Sequence, residues 1–274
     1  MTVAPDTSVV IDLDRYPIDR LDDGPGRALV SRCRADLART GLAQLPGFLR
    51  EEVVGDWARE ALRCGHGAYH MHHMFTYGEG MPYRPDESAL PADDPRRYPI
   101  RTTLRFVPGD EVPRESALWA LYDWPPVLEF VRRALGREAL HRSPDVLNSV
   151  NYLVYTDGDE QDWHFDEHDF SVTILLQRSE AGGFEFVPNL RSEAGEDLGG
   201  MRRAQQGTHP RLVRPRSEPG TLSLFEGRYH YHRATRVAGS HERLLALLQF
   251  DDQPFDPNAE GNRELNTLFY GRPE

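Results

Sequence analysis

The sequence predicts a mainly β protein preceded by an α-helical layer, an α+β chain with an antiparallel core. Three observations predict it. Up to about residue 143 apolar residues recur at helical spacing, and beyond it they fall in short strand-like runs parted by turn residues. No helix intervenes between those runs, so the strands close into a barrel or sandwich rather than build a parallel sheet. The 274 residues also suffice to bury a sizeable core without disulfide staples.

In chain order, the first 20 or so residues are polar with a short apolar patch, a tail or an edge strand. Residues 26–39 place Ala28, Leu29, Cys33, Leu37 and Ala38 at helical spacing and stop near Gly41. Residues 42–49 read as a short strand and turn, and 51–63 as a second helix that stops at Gly65. The stretch 77–99 is rich in Pro, Gly and Asp, a long loop expected to act as a lid over a site. Residues 101–107 read as a strand, and 125–135 as a helix stopped by Gly136.

Six further strands are expected at 150–155, 170–176, 184–187, 222–225, 230–237 and 244–250. Turns part them at Asp157-Gly158-Asp159, Gly182-Gly183, Glu218-Pro219-Gly220 and Ala238-Gly239-Ser240. The Arg-rich stretch 201–216 reads as a solvated excursion between strands. The whole chain, 1–274, is expected to form one domain: a helical and loop layer with the lid over about 1–143, a β core over about 144–252, and a C-terminal tail over 253–274.

A net charge of −12 and a pI near 5.4 argue against nucleic acid and anionic membrane as partners. No apolar run is long enough to span a bilayer, and the first residues lack a signal-peptide pattern. Cys33 and Cys64 sit in helix-like surroundings and suit a reducing compartment, so a cytoplasmic protein is expected. Nothing in the sequence sets the oligomeric state.

Two constellations carry chemistry. In Trp163-His164-Phe165-Asp166 an imidazole and a carboxylate stand two apart, and in a strand i and i+2 face one side. Alone this pair is a weak signal. The second, Arg228-Tyr229-His230-Tyr231-His232, lies at the far end of the β region. Two histidines and a carboxylate on one face suit iron(II) with open positions for a co-substrate and dioxygen. Zinc with hydrolytic chemistry is the alternative for the same donors. Alternation does not choose between His230 and His232, which share a face; Arg243 on the following strand favours His232.

These pieces together resemble the double-stranded β-helix 2-oxoglutarate oxygenases, a jelly-roll or cupin-like fold. The matching stretches are Asp157-Gly-Asp-Glu-Gln-Asp-Trp-His-Phe-Asp166, Phe170-Ser-Val-Thr-Ile-Leu-Leu-Gln177, Gly182-Gly-Phe-Glu-Phe-Val-Pro188, Pro219-Gly-Thr-Leu-Ser-Leu-Phe-Glu-Gly-Arg228, and His232 to Arg243. The sequence looks most like the bacterial group of radical lysine halogenases and their amino-acid hydroxylase relatives, over about residues 95–252.

The resemblance implies that His164, Asp166 and His232 bind Fe(II). It also implies that Arg243 holds the distal carboxylate of 2-oxoglutarate through a charge-assisted contact, and that O2 is the oxidant. Many members carry Ser or Thr two residues past that arginine. Here the position is Leu245, so Thr173 or Tyr155 is expected to supply the hydroxyl. In the halogenases Gly or Ala replaces the carboxylate ligand, so Asp166 implies hydroxylation rather than chlorination. The expected reaction is hydroxylation of an unactivated C–H bond of a small molecule, an amino acid or derivative, with release of succinate and CO2. Desaturation or cyclisation with the same cofactors, or a metal-binding barrel without turnover, are the alternatives.

For such a zwitterionic substrate, Arg101 is expected to meet the carboxylate and Glu167 the ammonium group. His70, Trp163 and Asn151 are further candidates for the pocket wall. The bland readings are a solvated charge for Arg101, core packing for Trp163, and a surface turn for His168. The cluster His66, His70, His72 and His73 lacks cysteine partners and reads as packing or pocket lining rather than a second metal site.

Overall fold

The computed structural model describes residues 10–75, 90–253 and 266–272. Helix α1 (Gly24–Thr40), strand β1 (Leu42–Leu45), α2 (Glu51–Gly65), β2 (His70–Phe75), β3 (Ile100–Val107), α3 (Ala117–Asp123) and α4 (Pro125–Ala134) form the N-terminal part. After them come β4 (His141–Arg142), β5 (Val150–Tyr155), β6 (Glu160–His164), β7 (Ser171–Gln177), β8 (Phe184–Val187), β9 (Arg191–Ser192) and β10 (Gly195–Glu196). Helix α5 (Leu198–Gln205), then β11 (Leu222–Phe225), β12 (Tyr231–Ala234), β13 (Arg243–Leu248) and β14 (Phe250–Asp251) complete the series.

Ten strands make one antiparallel sheet in the order β1-β11-β7-β13-β5-β3-β6-β12-β8, with β2 paired to β3. It curls on itself as a double-stranded β-helix. Strands β9 and β10 form a hairpin, and β4 pairs with β14.

Strict alternation divides the sheet into two faces. On β5, Val150, Tyr152 and Val154 join the main apolar core, as do Val172, Ile174 and Leu176 on β7 and Leu244, Ala246 and Leu248 on β13. Helix α2 lies across these strands and buries Trp57, Ala58 and Ala61. The intervening residues face the hollow of the curl: Asn151, Leu153 and Tyr155, then Ser171, Thr173 and Leu175, then Arg243, Leu245 and Leu247. The helical layer is therefore an outer buttress, and the concave face is left for a site.

Helix α1 starts on the Asp23 side chain, which accepts from the Gly26 amide at 2.7 Å, and ends at Gly41 in the left-handed region (φ 76°). Gly41 has a second duty, because a side chain there would run into the His230 ring.

Several expectations change. Helix α3 and strands β2, β4, β9 and β10 were not foreseen. The stretch 201–216 is not a solvated excursion: it begins in α5, whose Met201 and Ala204 are fully buried with Trp163 and Tyr231, because small and apolar residues lie at helical spacing between its arginines. The C-terminal part is not a plain tail, since a helical turn at 266–270 sets Phe269 on Phe106 and adds Leu268 to the same apolar cluster. Residues 77–89 of the expected lid lie outside the described residues. The adjoining Pro95–Arg97 turn is tied to α5 through Gln205, which donates to the Pro95 carbonyl at 2.8 Å. Among the described residues no helix is long and apolar enough to cross a membrane.

Candidate active site

Strands β6 and β12 bring the three expected ligands together. His164 and His232 face each other in register, with ring centroids 4.1 Å apart. Asp166 Oδ1 lies 3.5 Å from His164 Nε2 and 3.3 Å from His232 Nε2. Among the described residues this is the one cluster of three such side chains with donor atoms all within 4.8 Å of one another.

Each histidine is oriented by its other ring nitrogen. His164 Nδ1 lies 2.7 Å from the Asp162 carbonyl and His232 Nδ1 lies 2.8 Å from the His230 carbonyl. A carbonyl accepts only, so Nδ1 carries the hydrogen and Nε2 keeps its lone pair toward the partner ligands. Burial, helped by the neighbouring His232, holds His164 below the usual histidine range and so in the neutral form. Burial works against the Asp166 charge, but the two imidazoles outweigh it and hold the carboxyl well below the usual range. The donor set thus offers a cation two ring nitrogens and one carboxylate.

The way these residues converge differs from simple alternation. The β6–β12 pairing matches His232 with His164 but Ala234 with Gln161, so β6 carries an extra residue between them, a β-bulge. Such bulges re-aim side chains beside active sites. Here Gln161 and His164 both face the cavity, and Trp163 turns to the opposite side. Asp166 lies past the end of β6, where its amide donates to the Gly227 carbonyl at 3.2 Å. A side chain at 227 would occupy the space of the Asp166 carboxylate, so glycine is required there. The sequence reading missed Gly227; its place in the Phe-Glu-Gly-Arg turn ahead of His230 was the available signal.

His230 precedes β12 and takes no part in the cluster. It accepts the Asn189 amide at Nδ1 (2.9 Å), and its ring packs against Phe225 and Gly41. Burial pushes it down to about 4.

The cluster opens on a cavity of about 380 Å³ inside the curl. Arg243, the first residue of β13, reaches this cavity opposite Tyr155, its guanidinium carbon 5.4 Å from the ring centroid. Burial lowers its pKa, and no acidic side chain among the described residues lies within ion-pair distance. A desolvated guanidinium without a carboxylate fits a bound anionic group.

Of the two hydroxyl candidates, Tyr155 is the neighbour of Arg243, with its own hydroxyl donating to Gln161 Oε1 at 3.4 Å. Thr173 also lines the cavity, but it pairs with Leu247, four residues further along β13 and about 13 Å away at the Cα level. Glu167 lines the cavity beside the cluster, and burial together with the Asp166 charge pushes its carboxyl up to about 7. Asn151 faces the cavity too, but its amide already donates to the Leu147 and Val107 carbonyls.

Three expected wall residues lie elsewhere. Arg101 is exposed and sits 3.4 Å from Glu160, because Ile100 and Thr102 are the inward residues of β3. Trp163 is fully buried on the far side of the bulge, stacked on Tyr231 with Arg233 over its ring. His70 is held outside the cavity by Asp159 at 2.8 Å, its ring tilted against that of His72 with centroids 4.1 Å apart. A cation the sequence reading did not single out, Arg191, lines the cavity instead, stacked on Phe165 and paired with Glu196 at 3.0 Å.

No protein-family profile matches the chain, and comparison with curated proteins gives no match. Solved structures do match. The non-haem α-ketoglutarate-dependent carbocyclase SnoK from nogalamycin biosynthesis is 15% identical with a TM-score of 0.56, covering 89% of this chain and 92% of its own. The epimerase SnoN from the same biosynthesis is 17% identical with a TM-score of 0.56, covering 82% and 84%. HygX from Streptomyces hygroscopicus, crystallised with nickel, 2-oxoglutarate and hygromycin B, is 15% identical with a TM-score of 0.52, covering 79% and 85%. At this identity the likeness shows the shared fold, the double-stranded β-helix.

Proposed function

We propose that this chain is an Fe(II)- and 2-oxoglutarate-dependent oxygenase acting on a C–H bond of a small molecule, with succinate and CO2 as co-products. One observation carries the reading: a two-histidine, one-carboxylate cluster and a carboxylate-free buried arginine share one cavity. A zinc hydrolase would use the cluster but has no use for Arg243. The structural neighbours named for 2-oxoglutarate dependence support the same reading through their fold.

In this reading His164, Asp166 and His232 hold the metal on one face, leaving the positions toward the cavity open. Arg243, with the Tyr155 ring beside it, receives the distal carboxylate of 2-oxoglutarate. Bound iron and co-substrate supply the oxidising chemistry with dioxygen. The chain positions the groups: the Asp162 and His230 carbonyls fix both imidazoles, Gly227 gives the Asp166 carboxylate its space, and the apolar residues of β5 and β13 exclude water. Because Asp166 occupies the position that chloride takes in halogenases, hydroxylation is the product type we assign. An epimerase and a carbocyclase among the neighbours mark the other outcomes open to this fold.

The amino-acid substrate implied by the sequence resemblance is not retained. Its expected carboxylate partner, Arg101, lies outside the cavity, beside Glu160.

Anaerobic titration of the protein with Fe(II) and 2-oxoglutarate, followed by exposure to air, tests the assignment. A visible charge-transfer band and then succinate are expected, with oxygenated and no chlorinated product in high chloride. Absence of both band and succinate overturns it.

A further inference from the structure

One wall of the cavity carries a row of hydrogen-bonding side chains where the alternation rule alone asks only for bulk. The cavity-facing residues of β1, β11 and β7 are Leu42 and Gln44, then Ser223 and Phe225, then Ser171, Thr173 and Leu175. The sheet register sets Gln44 beside Ser223 and Ser223 beside Thr173, one rung across three adjacent strands. Ser171 lies on the next rung, beside Phe225. Neighbouring strands are about 4.8 Å apart, a spacing that matches equatorial hydroxyls on alternate carbons of a six-membered ring.

The rung is partly organised and partly open. Gln44 Nε2 donates to Ser217 Oγ at 2.6 Å and to Ser223 Oγ at 3.3 Å, which fixes the amide plane. The Thr173 and Ser171 hydroxyls have no hydrogen-bond partner among the described residues, and both face the cavity. A ligand that displaced water from this wall without offering its own polar groups would leave those hydroxyls unpaired, which is costly. The rung also belongs to the site, since Phe225, two residues from Ser223 on the same face, packs its ring 4.9 Å from that of His232. The rung itself carries no charged side chain.

We propose that the substrate presents an uncharged polyhydroxylated ring, a sugar or cyclitol moiety, to the rung formed by Gln44, Ser223 and Thr173, with Ser171 as a further contact. Calling the bound molecule a substrate rests on the oxygenase reading above; the recognition itself does not.

Saturation-transfer NMR on the full-length protein separates the two. The probes are methyl α-D-glucopyranoside and myo-inositol, against cyclohexyl methyl ether and the free amino acids. Saturation of at least one hydroxylated probe and not of the ether is expected. Thr173→Val with Ser223→Ala should weaken that probe about ten-fold or more, as should Ser171→Ala with Gln44→Leu if the first pair disturbs folding by thermal melt. Fe(II) binding should be unchanged in either variant, and 2-oxoglutarate binding unchanged in Ser171→Ala with Gln44→Leu. No saturation of any hydroxylated probe, or equal saturation in wild type and a folded variant, overturns the proposal. A glycoside that binds while no iron–2-oxoglutarate band forms overturns the oxygenase reading and leaves this one standing.

Discussion

His230 and His232 stand two residues apart, and the local backbone gives them opposite duties. His232 faces His164 across the β6–β12 pair, whereas His230 sits before β12 with Nδ1 taken by the Asn189 amide. His164→Ala and His232→Ala should each abolish iron binding by the purified protein, while His230→Ala keeps about one iron per chain. Metal analysis with the opposite pattern would reverse the ligand assignment. His230 should matter for stability instead. Burial moves it from the usual 6.5 down to about 4, so between these values the unfolded chain binds a proton that the folded chain does not. Stability should therefore fall as pH drops from about 6.5 to about 4, by about 1.4 kcal/mol per pH unit from this group. Denaturant melts over that window should show a shallower slope in His230→Gln; an unchanged slope would mean that other groups dominate. At this scale the convergence of His164, Asp166 and His232 was legible in the sequence, because histidine and carboxylate carry their donor chemistry in their names. Arg101 and Trp163 were not, because which way each side chain points depends on strand register and on the bulge in β6.

Elements were read best where a pattern repeats. Helices α1, α2 and α4 and strands β5, β8 and β11 follow from periodicity and glycine stops, since each has one apolar face and a clear end. Strand β2 was obscured by its run of histidines and methionines, and α5 by its arginines, although tertiary packing decides both. The segment 266–272 shows the same limit. Its Phe269 and Tyr270 line the cavity, the Tyr270 hydroxyl bonds Asn148 Oδ1 at 2.7 Å, and Arg272 pairs with Glu111 at 2.7 Å. None of these partners is near in sequence, so no local pattern announces the contact. Deleting residues 266–274 should open one end of the cavity and remove the aromatic partners of Phe106. The unfolding midpoint should fall by several degrees while one iron per chain is retained, since the cluster of His164, Asp166 and His232 draws no residue from this segment. Differential scanning calorimetry with metal analysis checks it, and an unchanged midpoint would show that the segment lies loosely on the wall.

For the molecule as a whole, the fold places binding free energy and folding free energy in one structure. The cluster joins β6 and β12 to the turn at Gly227, and Arg243 with Tyr155 joins β13 to β5, so ligands bound between them tie the two sides of the curl together. A ligand that binds only the folded state stabilises it by about 2.7 kcal/mol at a hundred times its dissociation constant. For a chain of this size that corresponds to roughly 5–10 °C in unfolding midpoint. Fe(II) under anaerobic conditions should raise the midpoint of the wild-type protein, and 2-oxoglutarate added to the iron-loaded protein should raise it again. In Arg243→Ala the first increment should remain and the second should largely vanish if Arg243 receives the distal carboxylate as proposed, a charge-assisted contact worth about 1.5–3 kcal/mol. In Asp166→Ala both increments should shrink together if, as proposed, the co-substrate is held through the metal as well as through the arginine. Equal 2-oxoglutarate increments in wild type and Arg243→Ala would move the carboxylate anchor to another cavity cation, with Arg191 the one to replace next.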